Sequence, residues 1–134
     1  MQKIRVCIGS NDGETIAQTH MGDTKFFYLY DLVLSQGYAF VEKRSNVARD
    51  MEHDGADKMK AIIALVADVD VFVARKKSPN FIKIAKQTRY QPVVVTNDDI
   101  QDVLALLQGD FVQLNSYVER RRRGEFFEFI PVIS

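Results

Sequence analysis

The sequence predicts an α/β domain: a mixed sheet of about five strands with helices on its faces. Three observations carry that prediction. The first half holds strand-like runs joined by turn formers. The second half alternates short apolar runs with helical stripes, the pattern of parallel strands joined by right-handed crossovers. The 134 residues fill one domain and leave no room for two.

Lys3 to Gly9 alternates, with Ile4, Val6 and Ile8 on one side and Arg5 and Cys7 on the other, which predicts a strand with one buried face. Ser10 to Thr24 is rich in turn formers and reads as a long ordered loop. Lys25 to Leu34 is an aromatic and β-branched strand, Ser35-Gln36-Gly37 a turn, and Tyr38 to Arg44 the returning strand of a hairpin. Ser45 to His53 is a polar connector. Asp54 caps a helix whose first turn Asp57 supports, and Met59, Ile62, Ile63 and Val66 form its apolar stripe. Val69 to Ala74 is apolar without alternation, as in a strand covered on both faces. Ser78-Pro79 starts a helix with Phe81, Ile82, Ile84 and Ala85 on its apolar side. Pro92 to Val95 is a further buried strand, and Thr96 to Asp99 fits a capping box in its Asp-ended form. Apolar positions from Ile100 through Leu107, Phe111, Leu114 and Val118 fit one long helix, bent near Gly109 and stopped by Gly124. Glu125 to Ile133 is an apolar tail, expected as an edge strand or, by preference, as a contact with a partner or a second copy of the chain.

Bulk properties exclude several classes. The 18 basic and 18 acidic residues cancel, so the whole-chain field favours neither nucleic acid nor an acidic membrane. A single cysteine, Cys7, rules out an internal disulfide framework and suits a reducing compartment. The first ten residues carry Lys3 and Arg5 and do not read as a signal peptide. The longest apolar run, Ala61 to Ala67, is far short of the ~20 residues that span a bilayer. A cytoplasmic protein is expected. There is no Walker or dinucleotide glycine motif, no CxxC and no HExxH.

Four segments, in order, carry a family resemblance. They are IRVCIGSNDG; TIAQTHMGDTKFFYLYDL, with a histidine–x–glycine ahead of a strand ending in Tyr-Asp; VEKRSNVARDMEHDGADKMKAII, with an Arg-x-Asn, a histidine near a glycine and a helix; and LVADVDVFVA, with an Asp-Val entering a buried strand. Gln91 to Leu107 continues the pattern. Together they resemble the dinitrogenase iron–molybdenum cofactor biosynthesis family, which includes NifX-like and NifY-like accessory proteins and the NifB C-terminal domain. Residues 1–108 look like its cofactor-binding domain, and residues 109–134 read as a helical extension and apolar tail of the same domain. The resemblance implies a ribonuclease H-like three-layer fold. It implies binding or escort of the iron–molybdenum cofactor or an iron–sulfur precursor cluster, and no catalytic step. Nitrogenase cofactor assembly proteins or apo-nitrogenase are the implied partners. Met21 stands where the family has Phe, and Arg75-Lys76-Lys77-Ser78-Pro79 stands in place of a glycine-rich loop.

The family's cluster-binding role points to His20, since a neutral imidazole ligates iron and Gly22 gives a cluster room to approach. The plainer role of His20 is to pin its loop. Cys7, near a strand end, suits iron–sulfur chemistry as a thiolate or simply packs. His53 is a third ligand candidate, or a helix cap. Arg75 and Lys76, with Lys77, attract an anionic ligand or form a solvated loop. Arg120 to Arg123 suits phosphates, but Glu119, Glu125 and Glu128 offset it, and nucleic acid is not the expected partner. A nuclease needs clustered carboxylates beginning on the first strand, which here carries Arg5 and Cys7, with no acid before Asp12. The expected function is a metal-cluster carrier; a cluster-free interaction or regulatory module on the same fold is the alternative.

Overall fold

The computed structural model describes residues 2–51 and 56–134. Strands β1 (Lys3–Ser10), β2 (Phe26–Val33) and β3 (Gly37–Ser45) come first; α1 (Ala56–Leu65), β4 (Val71–Ala74), α2 (Pro79–Gln87), β5 (Gln91–Val95), α3 (Ile100–Gly109), α4 (Phe111–Arg122) and β6 (Val132–Ile133) follow. The sheet order is β3-β2-β1-β4-β5-β6. β1, β2 and β3 pair antiparallel, whereas β4, β5 and β6 extend from β1 in parallel. This mixed sheet follows from the hairpin at Ser35–Gly37 and the helical crossovers after it.

The expected three layers are present, with six strands rather than five. The extra strand is two residues of the apolar tail, Val132 and Ile133, set against Val94 and Val95. A pair that short has no alternation to read. Ile130 and Pro131 before it are buried, and the Val94 amide donates to the Pro131 carbonyl at 3.0 Å. The tail therefore completes the sheet of its own chain.

The two faces of the sheet are packed differently. Ile4, Val6 and Ile8 of β1, Val71 and Val73 of β4, and Val93 and Val95 of β5 meet Val103, Leu104 and Leu107 of α3 and Phe111, Leu114 and Val118 of α4. Cys7, Phe27, Leu29, Phe72 and Ala74 face the other way, against Ile62 of α1, Val66 just beyond it, and Phe81, Ile84 and Ala85 of α2. So β1 is buried on both faces, not one. Its polar Arg5 is accommodated because Asp31 and Asp68 accept from its guanidinium, each at 2.9 Å.

The long helix expected after Ile100 is two. The chain breaks at Asp110, whose amide donates to the carbonyls of Leu106 and Leu107, and α4 restarts at Phe111 in the same core. Gly109 before the break is the poor helix former that makes this cheap. The cap of α3 is Asp99, accepting from the Asp102 amide at 3.0 Å, not Thr96, whose hydroxyl donates to Asn97. Ser78 caps α2 as expected, accepting from the Phe81 amide at 3.1 Å.

Candidate functional site

The loop after β1 is built from its own side chains. Ser10 donates to the Thr15 carbonyl at 2.6 Å, and Asp12 accepts from the amides of Thr15 and Glu14. Those N–H donors, Thr15 first, hold the Asp12 carboxyl down to about 2. The loop ends in a single 3-10 turn, Met21–Asp23, closed by the Asp23 amide on the His20 carbonyl at 3.0 Å. Thr24 behind it is fully buried and donates to the Met21 carbonyl at 3.0 Å. A side chain at Gly9 would come within 2.8 Å of Thr24 Cγ2, so β1 must carry glycine where the turn crosses it.

Asn46 secures the turn from the connector after β3. Its amide nitrogen donates to the carbonyls of Gly22, at 2.9 Å, and Thr24, at 2.8 Å. Arg49 adds a bond from Nε to the Asp23 carbonyl at 3.1 Å. From α1, the buried Lys58 donates to Asp23 Oδ1 at 2.7 Å.

The turn, α1 and the start of α2 line a cleft with an inner volume of about 40 Å3 that opens to solvent. His20, Gly22, Asp23 and Lys58 line it with Ser78 and Asn80. The rest of its wall is apolar: Met21, Met59, Ile62, Ile63, Phe81 and Ile84. α2 follows β4 directly, so the cleft lies beside that strand's carboxyl end, where open α/β sheets commonly bind ligands. His20 is half-buried at its edge.

Of the residues singled out from the sequence, the fold brings His20 and Gly22 to this cleft. Gly22 serves packing there: a Cβ on it would sit 2.9 Å from Ile62 Cδ1, so its small size lets the turn lie on α1. Cys7 is fully buried between β1 and the α1 and α2 layer and is not part of the cleft lining. Burial pushes its thiol far above the ordinary value, away from the thiolate a metal would need. His53 and Asp54 lie outside the described residues.

Arg75 and Lys76 do not line the cleft either. Arg75 pairs with Asp98, which also accepts from Gln18 at 2.7 Å, and Lys76 is exposed. The cation that does line the cleft is Lys58. Its signal in the sequence is its spacing, since Lys58 and Ile62 stand at i and i+4 on the buried side of α1, in line with Val66 just beyond the helix. Among the described residues, no three His, Cys, Asp or Glu side chains form a group able to hold a metal ion.

The arginine run is committed to structure. Arg121 is 1% exposed and donates to Gln91 Oε1 and to the carbonyls of Ala85, Thr88 and Phe127, at 2.6 to 3.0 Å. Burial pulls its guanidinium down to about 10, so it stays charged at neutral pH. Arg122 pairs with Asp70 and Glu119, while Arg120 and Arg123 share Glu125.

These features define a three-layer α/β domain with a cleft walled by a histidine-bearing turn and two helices. The chain belongs to the dinitrogenase iron–molybdenum cofactor family, whose model matches residues 2–110. No curated protein and no solved structure matches it. Among the described residues, no helix is long and apolar enough to cross a membrane.

Proposed function

We propose that this protein is a cytoplasmic carrier, and not an enzyme, for an iron–sulfur-based cluster: the iron–molybdenum cofactor or its precursor. What supports the reading is the placement of His20, in a family tied by name to that cofactor, at the edge of this cleft. A neutral imidazole donates a nitrogen lone pair to iron. A preformed cluster brings its own sulfides and asks few ligands of its carrier. The apolar wall from Met59 to Ile84 sheds water from the cargo's inner side, while the open mouth leaves its outer side to a cofactor assembly protein or apo-nitrogenase. Cys7 has no part in this reading.

Anaerobic reconstitution with ferrous iron and sulfide, followed by gel filtration, tests it. The wild type is expected to keep broad visible absorbance through the column, and His20→Ala to fold normally and emerge colourless. Equal retention by the variant removes His20 from the site. The same apolar wall suits a partner's peptide segment, the cluster-free alternative, in which case the wild type stays colourless after reconstitution.

A further inference from the structure

A buried cation lies beneath the His20 turn. Lys58 is 2% exposed, and its ammonium donates to Asp23 Oδ1 at 2.7 Å and to the Arg49 carbonyl at 3.1 Å. Asp23 closes the turn through its own amide, on the His20 carbonyl. Arg49 completes a ring by donating from Nε to the Asp23 carbonyl at 3.1 Å. One side chain on α1 thus ties the turn to the connector that follows β3. Burying an ammonium is costly even when it is paired, and an apolar residue would continue the stripe of Ile62 and Val66 without that cost. In some proteins a charge kept at such a position fixes one arrangement of its surroundings rather than adding stability.

We propose that Lys58 is a positioning residue, which acts through Asp23 to hold the turn in the one conformation that presents His20 at the cleft. This rests on the reading of His20 as the cargo's ligand. Two variants of the full chain test it. Lys58→Met keeps the stem and removes the ammonium; Asp23→Asn weakens the pair and leaves Lys58 bonded to the Arg49 carbonyl. Hydrogen exchange is followed at the amides of Asp23 and Thr24, which bond within the turn, and at those of β1 and β4. Cluster retention is measured after reconstitution with ferrous iron and sulfide.

The expected result is exchange at least about tenfold faster in the turn, with β1 and β4 protection unchanged. Cluster retention should fall by about tenfold in the same variants. An undisturbed turn, a uniform loss of protection along the chain, or a loosened turn with full cluster retention overturns the proposal. Should Lys58→Met fail to fold, Asp23→Asn carries the test on the same readouts. A wild type that retains no cluster refutes the carrier function alone, because the exchange measurement still judges Lys58.

Discussion

Asn46 and Gly22, 24 positions apart, are joined by one hydrogen bond of 2.9 Å from the asparagine side chain to the glycine carbonyl. The same nitrogen donates to the Thr24 carbonyl, and Asn46 Oδ1 accepts from the Ala48 amide at 3.1 Å. The asparagine of the Arg-x-Asn thus ties the His20 turn to the connector that follows β3. Asn46→Ala leaves these groups unpaired and should cost ~2–3 kcal/mol in denaturant unfolding. Asn46→Asp should cost more, since it turns a carboxylate oxygen toward two carbonyls.

Arg121 and its neighbours should respond very differently to substitution. Arg121→Met strands four acceptors in a buried site and should lose at least ~3 kcal/mol. Arg123→Ala breaks only an exposed pair, and Arg120→Ala a solvent-accessible pair and a contact with the Phe127 ring, each with an effect within ~1 kcal/mol by the same denaturant titration. Comparable losses at all three positions would refute the division.

Cys7 should be silent in the native state. A disulfide thiol reagent should react with it only as fast as the chain opens, and at full speed in denaturant. Cys7→Ala, which leaves only a small void, should retain the cluster as well as the wild type does. Rapid native reaction would contradict its burial.

Acid stability should depend on two carboxylates. Hydrogen bonds from Arg44 hold the Asp68 carboxyl below its ordinary 3.8, and the amides of Thr15 and Glu14 hold Asp12 down to about 2. Both folded-state values lie below the unfolded ones, so their stabilisation is complete above 3.8 and disappears as the pH falls through the folded values. Unfolding free energies measured at successive pH values down to about 2 should show a shallower acid decline in Asp12→Asn and Asp68→Asn than in the wild type.

Much of the architecture was legible because period and punctuation agree locally. The alternation at Ile4, Val6 and Ile8, the Ser78-Pro79 start and the Ser35–Gly37 turn each need only their neighbours to be read. What escaped depends on distant partners. β6 exists because β5 offers an edge, and Asp99 rather than Thr96 caps α3 because of where the chain enters the helix. Of the residues singled out from the sequence, His20 and Gly22 line the cleft. Arg75 and Lys76 looked like its cations, but Asp98 lies 23 residues beyond Arg75 and takes up its charge. Lys58 lies beneath the turn because its spacing to Ile62 puts it on the buried side of α1.

The family match stops at residue 110, just where α3 gives way to α4. Yet Phe111, Leu114 and Val118 fill the layer over β4 and β5, and Arg121 fastens the end of α2 to the chain beyond it. A polypeptide cut after residue 110 would uncover an oily sheet face and leave Gln91 without its donor. The span that the family model matches and the span that packs into this core are therefore different lengths.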